Sequence, residues 1–194
     1  MTRTTASLMV VALALFLVLP ASAQDHDQGH DEGQAHDNMA FIENYTKDFD
    51  GASEKLTDLA GAMPADLYGW RPAEGIRSVS EVYMHVAGAN FGLASALGVD
   101  MPTDVPENLE QDVTDKDQVL EVLKKSLEHV HKALEMVMKE DLSEKVQAFG
   151  QEFTRYRVLM IISGHSHEHL GQSIAYGRSN NVTPPWSGGG DGGQ

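Results

Sequence analysis

Four stretches of the chain carry apolar residues at alternating steps of three and four, the spacing that lines one side of an α-helix. The clearest is Leu120, Leu123, Leu127, Val130, Leu134 and Val137, in a helix that Thr114 starts. An earlier stripe runs Ile42, Tyr45, Phe49, Ala52, Leu56, Leu59, Met63 and stops at Pro64. Another follows Ser78 as Val82, Val86, Ala89, Leu93, Leu97, with Glu81 at capping-box spacing from Ser78 and Gly98 placed to end it. The last opens at Thr154 and reaches about Arg178. Residues 65–77 read as a loop, residues 98–113 with two prolines as a long crossover, and Phe149-Gly150-Gln151 as turn-like. Four such helices with no convincing alternating strand predict an all-α fold, an antiparallel four-helix bundle with a long crossover between helices 2 and 3.

The ends do not belong to that bundle. Residues 1–23 hold Arg3, an apolar run from Leu8 to Leu19, then Pro20 and Ala21-Ser22-Ala23, the layout of a cleaved signal peptide. The apolar run is shorter than the ~20 residues that span a bilayer, so the expectation is a secreted or periplasmic protein with no membrane attachment after cleavage. Residues 24–38, QDHDQGHDEGQAHDN, hold no apolar residue larger than alanine and are expected to form a disordered His/Asp-rich arm. Such tracts can also bind metal loosely. Residues 39–186 form the expected domain, and residues 187–194 a flexible glycine-rich tail.

The chain has no cysteine, which excludes disulfide staples. Its net charge of −15 becomes −16 on loss of the leader, which holds one arginine and no acid. A surface this acidic repels nucleic acid and anionic membranes, so neither is expected as a partner.

The fourth helix carries the chemistry. Its inward stripe is Val158, Ile162, His165, His169, Gln172, Tyr176, so the core positions turn polar halfway along. Two buried imidazoles without partners cost a few kcal/mol. Hydrogen bonds to neighbours or a solvated rim would satisfy them; so would one divalent ion, which an i, i+4 histidine pair can chelate. His85, beside the core stripe of the second helix, adds a third imidazole if the two helices pack antiparallel, giving metal ligands His85, His165 and His169 with an open position for water or substrate. Glu168, Gln172 and Tyr176 are the candidates for supporting that shell. Of the remaining histidines, His129 and His131 flank Val130 off its seam and are expected in solvent, and His167 turns about 200° from the ligands.

These residues resemble the DinB/YfiT-like family of metal-dependent four-helix-bundle enzymes. The likeness begins at Leu67-Tyr68-Gly69-Trp70-Arg71-Pro72, passes through Ser78-Val79-Ser80-Glu81 to His85, continues at His165-Ser-His-Glu-His169-Leu-Gly171-Gln172, similar to an HxxxHxGQ signature, and closes at Val182-Thr-Pro184-Pro185-Trp186. The resemblance implies a histidine triad holding zinc, nickel or a similar ion, often in a homodimer, and activities that include thiol transfer and hydrolysis. Leu170 departs from the arginine the family often has there. Export without cysteine argues against handling low-molecular-weight thiols. The expectation is therefore a metal-dependent hydrolase of a small-molecule substrate, with one zinc or nickel as cofactor. The alternatives are a non-catalytic extracytoplasmic metal-binding protein and a thiol-transferase-like enzyme.

Overall fold

The computed structural model describes residues 28–187, so the expected leader and all but Ser187 of the tail lie outside it. Its described residues form five α-helices and one hairpin: α1 Gln28–Ala62, α2 Val79–Ala96, α3 Leu109–Asp112, α4 Lys116–Val137, β1 Lys145–Ala148, β2 Gln151–Thr154 and α5 Arg155–Ser179. None of these helices is long and apolar enough to cross a membrane.

The four long helices make the bundle, with α5 packed on α1 and α2, and α4 packed on the same two from the other side. Their directions follow from named contacts. Tyr45 Oη donates to the Leu159 carbonyl at 2.9 Å and Ser163 Oγ to Asp48 at 2.9 Å, so α1 and α5 run parallel. Asn90 Nδ2 donates to Ser126 Oγ and Phe91 packs edge-on to His129, so α2 and α4 also run parallel. The other two neighbours are antiparallel. Lys116 Nζ donates to the Gly61 carbonyl at the end of α1 and to that of Met63 just beyond it, where the helix dipole favours a cation, and Tyr176 of α5 reaches back to Arg77 before α2. Parallel neighbours need a connection that returns the length of the bundle, and residues 97–115 are that crossover.

Local sequence explains the element ends. Ser78 Oγ accepts from Glu81 N–H while Glu81 Oε2 accepts from Ser78 N–H at 2.7 Å, a complete capping box. Arg71 holds the other oxygen of Glu81 at 2.9 Å. Replacing Ser78 by alanine is expected to remove about 1 kcal/mol of stability, read from a shift in denaturant midpoint. Asp115, one residue after the expected start, caps α4.

Three expectations are corrected. The polar stretch 24–38 is not irregular throughout, because α1 begins at Gln28; once Ile42 to Met63 are packed, each further residue propagates the helix without a new nucleus. The absence of strands also fails: β1 and β2 pair antiparallel with Ala148 opposite Gln151. Their two-residue turn places Phe149 and Gly150 at φ 49° and 74°, the left-handed conformation that tight hairpins require. Finally, His129 is buried rather than solvated. It lies against Phe91 because α2 covers a wider face of α4 than the expected seam. His131, as expected, keeps solvent contact, with Asp50 at 3.1 Å.

Candidate metal centre

The antiparallel packing of α2 and α5 brings the first half of α2 against the middle of α5. His85, His165 and His169 meet there, with ring centroids 5.0 Å, 4.9 Å and 4.4 Å apart. One ring nitrogen from each lies within 4.8 Å of the others; bonds of about 2.0–2.1 Å to one ion hold ligand atoms at most about 4.2 Å apart, so binding draws the three rings slightly inward.

Outer hydrogen bonds fix which nitrogen of two rings is free. His85 Nδ1 is 3.0 Å from Glu110 Oε1. A carboxylate only accepts, so Nδ1 carries the proton and Nε2 keeps its lone pair. For His169 the direction is set at the far end of a chain. The Arg77 carbonyl accepts from Tyr176 Oη at 3.0 Å, so Tyr176 Oη in turn accepts a hydrogen bond from Gln172 Nε2 at 2.9 Å. Gln172 Oε1 then faces His169 Nδ1 at 2.8 Å, which again leaves Nε2 as the ligand atom. Trp70 packs edge-on against Tyr176, 5.2 Å between centroids, and steadies the chain's far end. His165 is different, since its Nδ1 is buried with no partner among the described residues. The protein leaves that imidazole partly unsatisfied, and an ion on the ring is a fitting partner.

Of the proposed supporting residues, Gln172 and Tyr176 lie in the hydrogen-bonded chain that reaches His169. Glu168 is exposed on α5 and joins none of these bonds. The acid that does is Glu110 on α3, which Arg77 grips through Nε at 2.8 Å and Nη2 at 3.3 Å. Arg77 thus meets both chains, by its guanidinium toward His85 and by its carbonyl toward His169. His85 also forms part of the wall of an open cleft of about 560 Å³, shared with Glu110, Leu109, Gly88 and Phe149.

Electrostatics favour neutral rings. Burial first, then the neighbouring His169, His85 and Arg77, push His165 down to about 4. Burial and then Arg77 lower His85, against the opposing pull of Glu110. Neutral imidazole is the form that ligates. Below the ordinary value of 6.5 the unfolded chain takes up protons that these rings refuse, so acid favours unfolding. The metal-free protein is therefore expected to melt at progressively lower temperature as pH falls from about 6.5 to about 4, which calorimetry across that window would follow.

The model of the DinB superfamily matches residues 48–173, well over half the chain and all three histidines. The chain belongs to the DinB superfamily. Two solved DinB-like proteins share its fold, one from Bacillus cereus with 21% identity, TM-score 0.61, and coverage of 74% of this chain and 95% of the other. The second, from Bacillus subtilis, has 21% identity, TM-score 0.58 and coverage of 72% and 93%. A conserved protein of Enterococcus faecalis is similar at 19% identity and TM-score 0.55, covering 70% and 94%. No curated protein matches. At these identities the structures speak for the fold, and it is the all-α DinB-like bundle.

Proposed function

We propose that this DinB-superfamily member is an exported metal-dependent hydrolase that holds one divalent ion, zinc or nickel, through His85, His165 and His169. The observation that carries the reading is the histidine cluster itself, with two rings turned by Glu110 and Gln172 to offer Nε2 and a third left unpartnered at Nδ1. When bound, such an ion supplies Lewis acidity that polarises a carbonyl or activates water. Three protein ligands leave coordination positions open, which hydrolysis needs and a closed structural site lacks.

The chain's own residues then bind and orient. Both oxygens of Glu110 are engaged by Arg77 and one also by His85, so Glu110 positions a ring and is not free to take a proton from substrate. The basic start, apolar run and Ala21-Ser22-Ala23 pattern of residues 1–23 support export, which N-terminal sequencing of the released protein would read. The reading includes a small-molecule substrate, no nucleic-acid partner, and a homodimer visible by sedimentation. Its test is a panel of acyl esters and amides turned over by zinc- or nickel-reconstituted protein. Turnover should vanish with a chelator and return with the ion; turnover indifferent to the chelator would overturn the proposal.

A further inference from the structure

Two locally unfavourable residue choices face each other beside the histidine cluster. Phe149 sits at φ 49° in the hairpin turn, a conformation that disfavours a bulky side chain, and it is 68% exposed. Gly92 lies inside α2, where glycine weakens a helix by about 1 kcal/mol relative to alanine. They belong together: a Cβ on Gly92 would stand 3.0 Å from both Cε1 and Cζ of the Phe149 ring. The ring occupies the space that the missing side chain leaves.

Gly92 is seven residues beyond His85, about 10 Å along the same face of α2. Between them lie Gly88 and Ala89, both partly exposed and without bulk. Leu109 of α3 borders this floor, with its Cδ1 3.7 Å from where a Gly88 Cβ would be. The result is the cleft of about 560 Å³, floored by Gly88 and Ala89 between His85 and Phe149 and faced by the segment from Glu107 to Gln111, which presents Leu109 among polar side chains. That volume is in the range that holds a small organic molecule.

We infer that this cleft is the acyl-side subsite of the metal centre, binding an uncharged, extended apolar chain of about 10 Å whose polar head lies at the histidines, with Phe149 as the residue that sets chain length. The inference rests on the proposed metal site and adds the substrate class. Arg77 and Glu110 in the lining balance one another, and Glu107 leaves the cleft with a net negative charge that disfavours an anionic chain.

Hydroxamates test it, because their head chelates a metal ion whatever their tail. Titration calorimetry of the zinc-loaded protein compares acetohydroxamate with octanohydroxamate, whose tail spans the floor. Partial burial of six added methylenes predicts about thirtyfold tighter binding of the longer probe. Two variants follow. Phe149→Gly removes the ring and suits the left-handed turn, so it should fold at least as well. Gly88→Leu fills the floor from a position whose Cβ meets only an ordinary contact. In Gly88→Leu the advantage of the long tail should fall to about threefold, and in Phe149→Gly, which opens the far end, decanohydroxamate should gain over octanohydroxamate, with zinc content and acetohydroxamate affinity unchanged in both. Equal affinities of the two probes in the unaltered protein, an advantage that survives Gly88→Leu, or no gain for the longer tail in Phe149→Gly would overturn the subsite alone. Failure to retain zinc or to bind either probe would overturn the metal centre and the subsite with it.

Discussion

His165→Ala is expected to leave the protein without bound metal after dialysis, where the unaltered domain retains about one ion per chain. Full ligand sets are worth about 10–16 kcal/mol at structural zinc sites, so one imidazole of three accounts for a loss of at least two decades in affinity. Elemental analysis and a competition titration against a chromogenic chelator would read both quantities. The metal-free proteins should behave in the opposite sense. His165 Nδ1 is buried without a partner, and removing an unsatisfied polar group relieves a desolvation penalty. Metal-free His165→Ala should therefore be no less stable than its metal-free parent. If instead the substitution destabilised the metal-free protein and metal content stayed at zero throughout, the histidines would be a structural polar network.

The second large effect is expected at Glu110. Truncation to alanine frees the His85 ring to rotate and to place its proton on either nitrogen, and loss of such an outer partner weakens metal binding tenfold to a hundredfold, about 1.4–2.7 kcal/mol. Glu110→Gln keeps an acceptor for Nδ1 but loses the charge that grips Arg77, so it should fall between. Glu107→Ala, three residues earlier and exposed, serves as the comparison and should bind metal as the parent does. An equal loss in Glu107→Ala would show that general negative charge, and not the Glu110–His85 contact, matters.

These two residues also mark where sequence reading succeeds and stops. His165 and His169 were legible because they occupy core steps of a regular stripe, and periodicity alone places them on one face with Gln172 and Tyr176. His85 sits one residue off its stripe and needed the antiparallel assumption that the Tyr176 to Arg77 bond bears out. Glu110 was not legible. It lies in the segment that looks least structured, 25 residues from His85, and reaches the ring only because the crossover must run back along α2 before α4 begins. The hairpin escaped for a related reason: strands of four residues are too short for alternation to register, and Phe-Gly is a poor turn signal beside Asn-Gly. His129 was misplaced because α2 buries more of α4 than its leucine and valine seam implies.

The parallel pairing of α1 with α5 has a kinetic consequence. Contacts such as Tyr45 with Leu159 and Asp48 with Ser163 join residues more than a hundred positions apart, and α5 follows α1, α2 and α4 in the chain. Until it docks, α1 and α2 have no common neighbour on that side, and His85 stands without its two companions. Long-range closure of this kind slows folding, so the appearance of a tight metal-binding signal during refolding should keep pace with the slowest step of chain assembly and not precede it.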